Sequence, residues 1–277
     1  MRRRHFLALP AAALGAVAAP GESFHTRQVK VDIAFRAPCP VPNGLQATEE
    51  GLWILNQGGD NALYLVDWDG NLKEKLNTDS VAGSGVGWDG AHLWIASTYD
   101  HKVLKVDRIS GKTLAAYETP GAGVVNWPNP RKSPLVRREP AAARPETRES
   151  AAPAPPPPDP NAPRPVTGAH GVEFKYGKLY LAVPPSASIY RINPANFQVE
   201  FQWKTAGDRP HGLGWEGKDL WCVDSNANAI FKYDVSDGNV IGKIQLGDRD
   251  PLPHGMTIRN GVLWYCDDVG VVCRLNL

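Results

Sequence analysis

Residues 210–234 read PHGLGWEGKDLWCVDSNANAIFKYD, and the pattern of this stretch recurs along the chain. Each copy has a polar residue before a glycine, then alternating apolar residues, a turn and a Leu-Trp or Leu-Tyr pair. This pattern predicts a strand, a tight turn and a second strand. The other copies are PNGLQATEEGLWILNQ from Pro42, GSGVGWDGAHLWIAST from Gly83, AHGVEFKYGKLYLAVP from Ala169 and PHGMTIRNGVLWYCDD from Pro253.

The spacing within the copies predicts how their strands pair. The polar residue that opens the first strand is followed thirteen residues later by the residue that ends the second strand, with the turn midway. An antiparallel hairpin with a central turn places its ends side by side, so His211 is expected beside Asp224 and His254 beside Asp267. The full set is Asn43 with Asn56, Ser84 with Ser97, His170 with Val183, His211 with Asp224 and His254 with Asp267.

A third strand and a fourth, such as VIGKIQLG from Val240, follow in most copies. Four short antiparallel strands at a period of about forty residues are typical of a propeller blade. We therefore predict an all-β protein that forms a five-bladed β-propeller. The last copy stops after three strands, and the alternating segment at residues 27–36 is expected to supply its fourth strand and close the ring, which hides two sheet edges. Six blades are the alternative, because Ser84 and His170 lie two periods apart.

Residues 124–166 fill that double interval and are rich in proline, which cannot donate to a strand ladder. We interpret them as an insertion in a single propeller domain spanning residues 20–277. The insertion joins a fourth strand to a first strand, so it should lie over the same end of the ring as the histidines. Its first part is expected to fold down as a lid, and residues 139–165 are equally consistent with a tether. The aromatic and basic residues of the lid are Trp127, Arg131, Lys132, Arg137 and Arg138.

Residues 1–19 resemble a twin-arginine signal peptide, with Arg3-Arg4 followed by an apolar run too short to span a bilayer permanently. This motif predicts a periplasmic or secreted protein with no membrane span after signal removal. Removing the segment takes the formal charge from +1 to about −2, so nucleic acid is not expected as a partner. The chain is expected to act as a monomer.

Four cysteines in an exported chain permit disulfides without requiring them. Cys266 and Cys273 lie symmetrically about Val269-Gly270 and are expected to face each other across a hairpin. Cys222 lies within a strand and is expected to be a buried apolar residue, and Cys39 precedes Pro40 near the ring closure.

The chemistry suggested by the repeats lies at one end of the ring, which we call the mouth. His170, His211 and His254 occupy one structural position in three consecutive blades, and Asp224 and Asp267 are expected beside two of them. Imidazoles with carboxylates suit a divalent ion such as zinc, manganese or iron. Without a metal, His211 and His254 are candidate catalytic bases. The structural alternative is that the histidines lock the blades together, as Gly-His and Asp do in WD repeats.

The Gly-containing first strand followed by Leu-Trp, apolar residues and an acid resembles the streptogramin (virginiamycin B) lyase family and, more loosely, the gluconolactonase and NHL-repeat propellers. In that lyase family, histidines and acids at these positions surround a magnesium ion, and a cyclic depsipeptide is opened by elimination. The resemblance implies such roles for His211, His254, Asp224 and Asp267. The chain departs from the family in having aspartate for glutamate, five blades for seven, and a third histidine. The signatures of five-bladed glutaminyl cyclases, Phe-Thr-Gln-Gly and Glu-Ser-Thr, are missing.

Two functions follow as hypotheses. The first is a metal-dependent lyase or hydrolase of a small ester, lactone or peptide-like substrate, with magnesium, zinc, manganese or iron as the cofactor. The second is a non-catalytic propeller that binds a small ligand or a protein. No Gly-x-Ser-x-Gly elbow, phosphate loop or dinucleotide fingerprint occurs in the sequence.

Overall fold

The computed structural model describes residues 24–125, 130–135 and 164–277. Five antiparallel sheets of this part of the chain surround a common axis, which confirms the five-bladed β-propeller. From the axis outward, blade 1 contains Pro42–Thr48, Gly51–Asn56, Ala62–Val66 and Leu72–Asn77, and blade 2 contains Gly85–Trp88, His92–Ser97, Lys102–Asp107 and Thr113–Glu118. Blade 3 contains Gly171–Lys175, Lys178–Val183, Ser188–Ile192 and Val199–Lys204, and blade 4 contains Pro210–Glu216, Asp219–Asp224, Ala229–Tyr233 and Val240–Gln245. Blade 5 contains Met256–Arg259, Val262–Asp267, Val271–Asn276 and Asp32–Arg36.

The N-terminal segment closes the ring, but as two strands where the sequence predicted one. Asp32–Arg36 pairs antiparallel with Val271–Asn276 and completes blade 5. His25–Gln28 instead pairs parallel with Val240–Gln245 on the outer edge of blade 4. Val29 and Val31, between the two strands, pack into the apolar core where blades 4 and 5 meet. The segment therefore fastens two blades to each other.

The blades are held together by apolar side chains that interlock between neighbouring sheets. One tryptophan of the second strand is buried at the same place in four blades, so this residue packs the blade. Blade 3 has Tyr180 at this place. The four tryptophans are Trp53, Trp94, Trp221 and Trp264.

The expected pairing of the hairpin ends is displaced by one residue. Pro210 lies opposite Asp224 because the strand bulges between Pro210 and Leu213, and Pro42 lies opposite Asn56 for the same reason. His211 is therefore on the bulge and is not the cross-strand neighbour of Asp224. In blade 5 the backbone N–H of His254 bonds the carbonyl of Cys266 and not of Asp267.

A ring of five glycines closes the axis directly behind the mouth, and we call it the glycine ring. A Cβ atom on Gly171 would lie 2.1 Å from the carbonyl oxygen of His211, and one on Gly85 would lie 2.7 Å from that of His170. Each glycine meets the next blade in this way, and no water-sized space remains among them. The members are Gly44, Gly85, Gly171, Gly212 and Gly255.

All four cysteines are buried and unpaired. Cys273 lies opposite Tyr265, and Cys266 lies opposite Val272, so the two cysteines point to opposite faces of blade 5. The expectation that they face each other is wrong, because the register of the two strands differs by one residue from the assumed one. Cys222 is a buried strand residue, as expected.

The ends of the predicted insertion pair with each other, since Gly123–Val124 forms a two-stranded ladder with Val166–Thr167. Trp127, Arg137, Arg138 and the tether at residues 139–163 lie outside the described residues, as does the predicted signal segment at residues 1–19. In the described ranges the one helical element is the short 3₁₀ turn Pro184–Ser186. No helix there is long and apolar enough to cross a membrane.

Candidate functional site

The three histidines of the mouth lie in a row, each immediately before a glycine of the glycine ring. The rings of His170 and His211 are 4.6 Å apart between centroids, and those of His211 and His254 are 5.0 Å apart. Both pairs meet edge to face, and all three side chains are buried. The structure therefore brings the predicted histidines into contact with one another.

Hydrogen bonds fix the protonation of two of these rings. The carbonyl of Arg209 can only accept, so Nδ1 of His211 carries the proton at 3.0 Å from it. In the neutral ring Nε2 of His211 then accepts, and its partner at 3.1 Å is Nδ1–H of His170. Nε2 of His170 in turn accepts from the hydroxyl of Thr167 at 3.4 Å. This directed chain ties blade 3 to blade 4 and uses the lone pairs that a metal ion would need.

Burial keeps these imidazoles uncharged. It lowers the pKa of His170 to about 3, and the positive field of Arg209 acts in the same direction. Burial likewise lowers the pKa of His211 well below its ordinary value. Both rings are therefore neutral at pH 7, which agrees with the hydrogen-bond chain.

His254 has a different environment. Its Nδ1 is buried and makes no hydrogen bond within the described ranges, and its Nε2 lies 3.7 Å from a carboxylate oxygen of Asp268. Burial lowers the pKa of His254 to about 4, although the charge of Asp268 opposes this. Of the three histidines, His254 is the one whose ring nitrogens are not committed to the chain.

Asp267 and Asp268 lie beside His254 at the mouth. Asp267 accepts hydrogen bonds from the backbone N–H of Leu252 at 2.7 Å and from the hydroxyl of Ser133 at 2.5 Å. Burial, together with the neighbouring carboxyl of Asp268, raises the pKa of Asp267 to about 7. One ligand atom from each of His254, Asp267 and Asp268 lies within 4.8 Å of the others, which makes this trio a candidate metal centre.

Asp224, the second predicted acid, has a local role. It accepts the backbone N–H groups of Arg209 and Ala227, each at 2.8 Å, and shapes the loop after its strand. Burial raises its pKa. The carboxylate of Asp224 therefore holds the backbone that carries Arg209, whose own carbonyl anchors the histidine chain.

Residues 130–135, which we call the strap, lie across blades 4 and 5 at the mouth. The backbone N–H of Arg131 bonds the side chain of Asn226 at 3.1 Å, and its guanidinium pairs with Asp248 at 3.1 Å. Ser133 is buried on Asp267, and Leu135 packs against the core shared by these blades. Arg131 thus lies at the mouth as the lid hypothesis expected, while Lys132 is exposed.

Three residues of the site were not predicted from the sequence: Asp268, Arg209 and Ser133. Asp268 directly follows a predicted acid, and Arg209 directly precedes the Pro-His pair of its copy. Their position next to the repeat pattern could have indicated that they belong to the site. Ser133 lies in the proline-rich segment, where no repeat indicates which residue meets the mouth.

Comparison with known proteins supports the fold. No protein-family model matches the chain, and no curated protein matches it by sequence. The structure is similar to glutaminyl cyclase of Myxococcus xanthus, with a TM-score of 0.62 and 11% identity over 92% of this chain and 99% of that one. It also matches virginiamycin B lyase of Staphylococcus aureus with quinupristin, with a TM-score of 0.48 and 16% identity over 85% of this chain and 66% of that one. A streptogramin B lyase matches with a TM-score of 0.46 and 18% identity over 85% and 65%. At 11% identity, the likeness to the glutaminyl cyclase is one of fold, the β-propeller.

Proposed function

We propose that this chain is a metal-dependent hydrolase or lyase of a small ester, lactone or peptide-like substrate, with its metal centre at the mouth. The observation that carries the proposal is the convergence of His254, Asp267 and Asp268, whose ligand atoms lie within 4.8 Å of one another. One imidazole with two carboxylates suits zinc, manganese, iron or magnesium. Among the described residues this trio is favoured over the larger set His170, His211, His254, Asp224 and Asp267.

The local environment fits a divalent cation. Two adjacent carboxyl groups repel each other when both are ionised, and a bound cation removes that repulsion. His254 turns its Nε2 toward Asp268, at 3.7 Å, and a neutral imidazole is the form that binds metals. Asp267 is oriented by the N–H of Leu252 and the hydroxyl of Ser133, as metal-binding carboxylates commonly are by neighbouring groups.

A divalent ion at this place would polarise a substrate carbonyl or lower the pKa of a bound water. The other contributions come from the chain itself. His254 is neutral at pH 7, so its imidazole could give its lone pair to the metal, and a carboxylate oxygen of Asp268 lies 3.7 Å from its Nε2. The half-buried guanidinium of Arg209 adds a positive charge that attracts an anionic or carbonyl oxygen. The strap limits access of water to Asp267.

We expect about one equivalent of metal in the protein purified without a histidine tag, and loss of that metal in a His254→Ala, Asp268→Asn double variant. Metal is measured by elemental analysis, and folding by far-UV circular dichroism. Asp248→Asn is the control, because Asp248 is an exposed carboxylate paired with the strap. A folded double variant with the full metal content would contradict the proposed ligands. A parent without metal, even after incubation with zinc, manganese or magnesium, would contradict the centre itself.

If metal is found, hydrolysis of an ester and lactone panel by the parent and double variant tests the activity.

A second function has one observation in its favour. The chain from Thr167 through His170 and His211 to the carbonyl of Arg209 is what blade locks require, since it joins two blades by neutral hydrogen bonds. In this alternative the propeller binds a small ligand or a protein at the mouth without catalysis. A metal-free parent in the experiment above would favour it.

We also propose that the protein is exported by the twin-arginine route, on the basis of Arg3-Arg4 and the apolar run that follows. Replacing both arginines by lysine is expected to retain the protein in the cytoplasm with its N-terminus uncleaved, as measured by cell fractionation and intact mass. Processing and export at the parent level in the Lys-Lys variant would exclude the route.

A further inference from the structure

A buried carboxyl group lies on the far side of the glycine ring from the mouth. Glu173 follows Gly171 by two residues and is 5% exposed. It forms no ion pair with any residue in the described ranges. Its carboxyl accepts the backbone N–H of Phe174 at 3.3 Å, and the hydroxyl of Thr257 contacts it. Burial raises the pKa of Glu173 to about 8. A carboxyl group removed from water in this way either keeps its proton or is paired with a positive charge.

Blades 1 and 5 place further oxygen atoms at the equivalent position of their inner strands, which we call the level behind the ring. Gln46 and Thr257 each follow a glycine of the ring by two residues and are 7% and 1% exposed. The amide nitrogen of Gln46 donates to the carbonyl of Ala47, while its Oε1 is buried without a hydrogen-bond partner in the described ranges. Thr257 accepts from the backbone N–H of Ala47 at 3.2 Å and also contacts Glu173. Thr257 therefore brings Glu173 of blade 3 close to blade 1.

The same position in blades 2 and 4 is occupied by Gly87 and Gly214. At this position of the five inner strands, the side chains are therefore one carboxyl, one amide and one hydroxyl. The positive field of Lys175 acts on Glu173 and favours the carboxylate. The level thus offers one acid, one amide oxygen without a donor, and one hydroxyl oxygen.

We propose that Glu173, Gln46 and Thr257 form a site for an alkali-metal cation, Na⁺ or K⁺, on the propeller axis. Hard cations bind carboxylate, amide and hydroxyl oxygens. A single positive charge neutralises the single carboxylate, and the field of Lys175 disfavours a second one. The bound ion would link blades 1, 3 and 5 across the axis. This site is separate from the proposed metal centre, since the glycine ring lies between them.

The test compares thermal unfolding in chloride salts of sodium, potassium, calcium and the bulky cation N-methylglucamine at equal ionic strength. A ligand that binds only the folded state raises the midpoint temperature of unfolding. When the ligand concentration is ten times the dissociation constant, the rise is about 3 to 6 °C for a domain of this size. We expect a saturable rise with sodium or potassium over N-methylglucamine in the parent. The isosteric Glu173→Gln variant should lose this response. Asp268→Asn, which alters the mouth, should retain it.

The proposal is overturned by a parent that responds equally to all four salts, or by a Glu173→Gln variant that still responds. A response to calcium alone would overturn the monovalent assignment, and loss of the response in Asp268→Asn would place the ion at the mouth. Gln46→Met provides a second readout if Glu173→Gln does not fold. It keeps the acid and removes the amide oxygen, so at least tenfold weaker binding of the alkali ion is expected, and unchanged binding counts against the site.

Discussion

Glu173→Gln is expected to be more stable than the parent at pH 8 when N-methylglucamine is the only cation. The difference in free energy of unfolding between variant and parent should be about 2 to 3 kcal/mol larger at pH 8 than at pH 5.5. The carboxyl of Glu173 is buried without an ion pair in the described ranges, and its pKa in the folded protein is raised to about 8 from an ordinary value of 4.5. Glutamine has the same shape without the charge, so it removes this titration and keeps the contact with Thr257.

The direction follows from proton binding. Between pH 4.5 and pH 8 the folded protein holds a proton on Glu173 that the unfolded chain has released. The free energy of unfolding of the parent therefore falls as pH rises through this window and levels off above pH 8. Each pKa unit corresponds to about 1.4 kcal/mol, so the gap between variant and parent widens with pH.

The measurement is urea denaturation of both proteins at several pH values between 5.5 and 8.5. The difference between the two curves isolates Glu173, because the titrations of His254 and Asp267 are common to both proteins. Glu118→Gln, an exposed substitution on the outer strand of blade 2, serves as the control for removing a carboxylate at the surface. A Glu173→Gln curve parallel to the parent curve would mean that Glu173 is ionised in the folded state throughout.

The same variant separates two ideas about the axis. In sodium or potassium the proposed ion keeps Glu173 ionised and stabilised, so the advantage of glutamine should shrink. In one outcome, the stability difference between variant and parent widens with pH in N-methylglucamine and widens equally in alkali salts. That result would establish that Glu173 is a buried acid and would exclude the cation. The pH experiment and the salt experiment can therefore fail independently.

The fold could be predicted from the sequence because each blade repeats the same local signals. The Leu-Trp pair fixes the buried face of the second strand, and turns such as Asn260-Gly261, with φ values of 52° and 76°, fix the hairpins. The split of residues 27–36 into two strands was not predictable from alternation alone. Val29 and Val31 are compatible with a strand and also with a segment that connects two blades. The apolar core into which they pack lies between blades 4 and 5, whose residues are distant in sequence.

The site was predictable at its histidines and less so at its acids. His170, His211 and His254 meet at the mouth because the repeat places them there. The bulge after Pro210 moves Asp224 away from His211, and nothing in the spacing reveals an extra residue on one strand. Asp268 lies beyond the repeat position in a turn, and Ser133 reaches Asp267 from 134 residues away in sequence. Contacts of that kind depend on loop conformation, which the pattern does not determine.

Gly171→Ala is expected to destabilise the protein by more than about 3 kcal/mol, and the variant is expected to fold poorly or not at all. The added Cβ would lie 2.1 Å from the carbonyl oxygen of His211 and 3.1 Å from Cβ of Ala182. The nearer atom belongs to the backbone of the next inner strand, so a rotamer change cannot relieve the contact. Moving that strand would also pull His211 from His170 and would open the ring that seals the axis.

Gly242→Ala is the matched control, because Gly242 also lies in a strand but its added Cβ would come no closer than 3.4 Å to any atom. This control should change the free energy of unfolding by no more than about 0.5 kcal/mol in either direction, as measured by urea denaturation. A Gly171→Ala protein as stable as the control would mean that the inner strands of blades 3 and 4 are further apart than described. Loss of stability in Gly171→Ala alone would establish that the close backbone contact at the glycine ring, rather than glycine content in the strands, makes Gly171 necessary for stability.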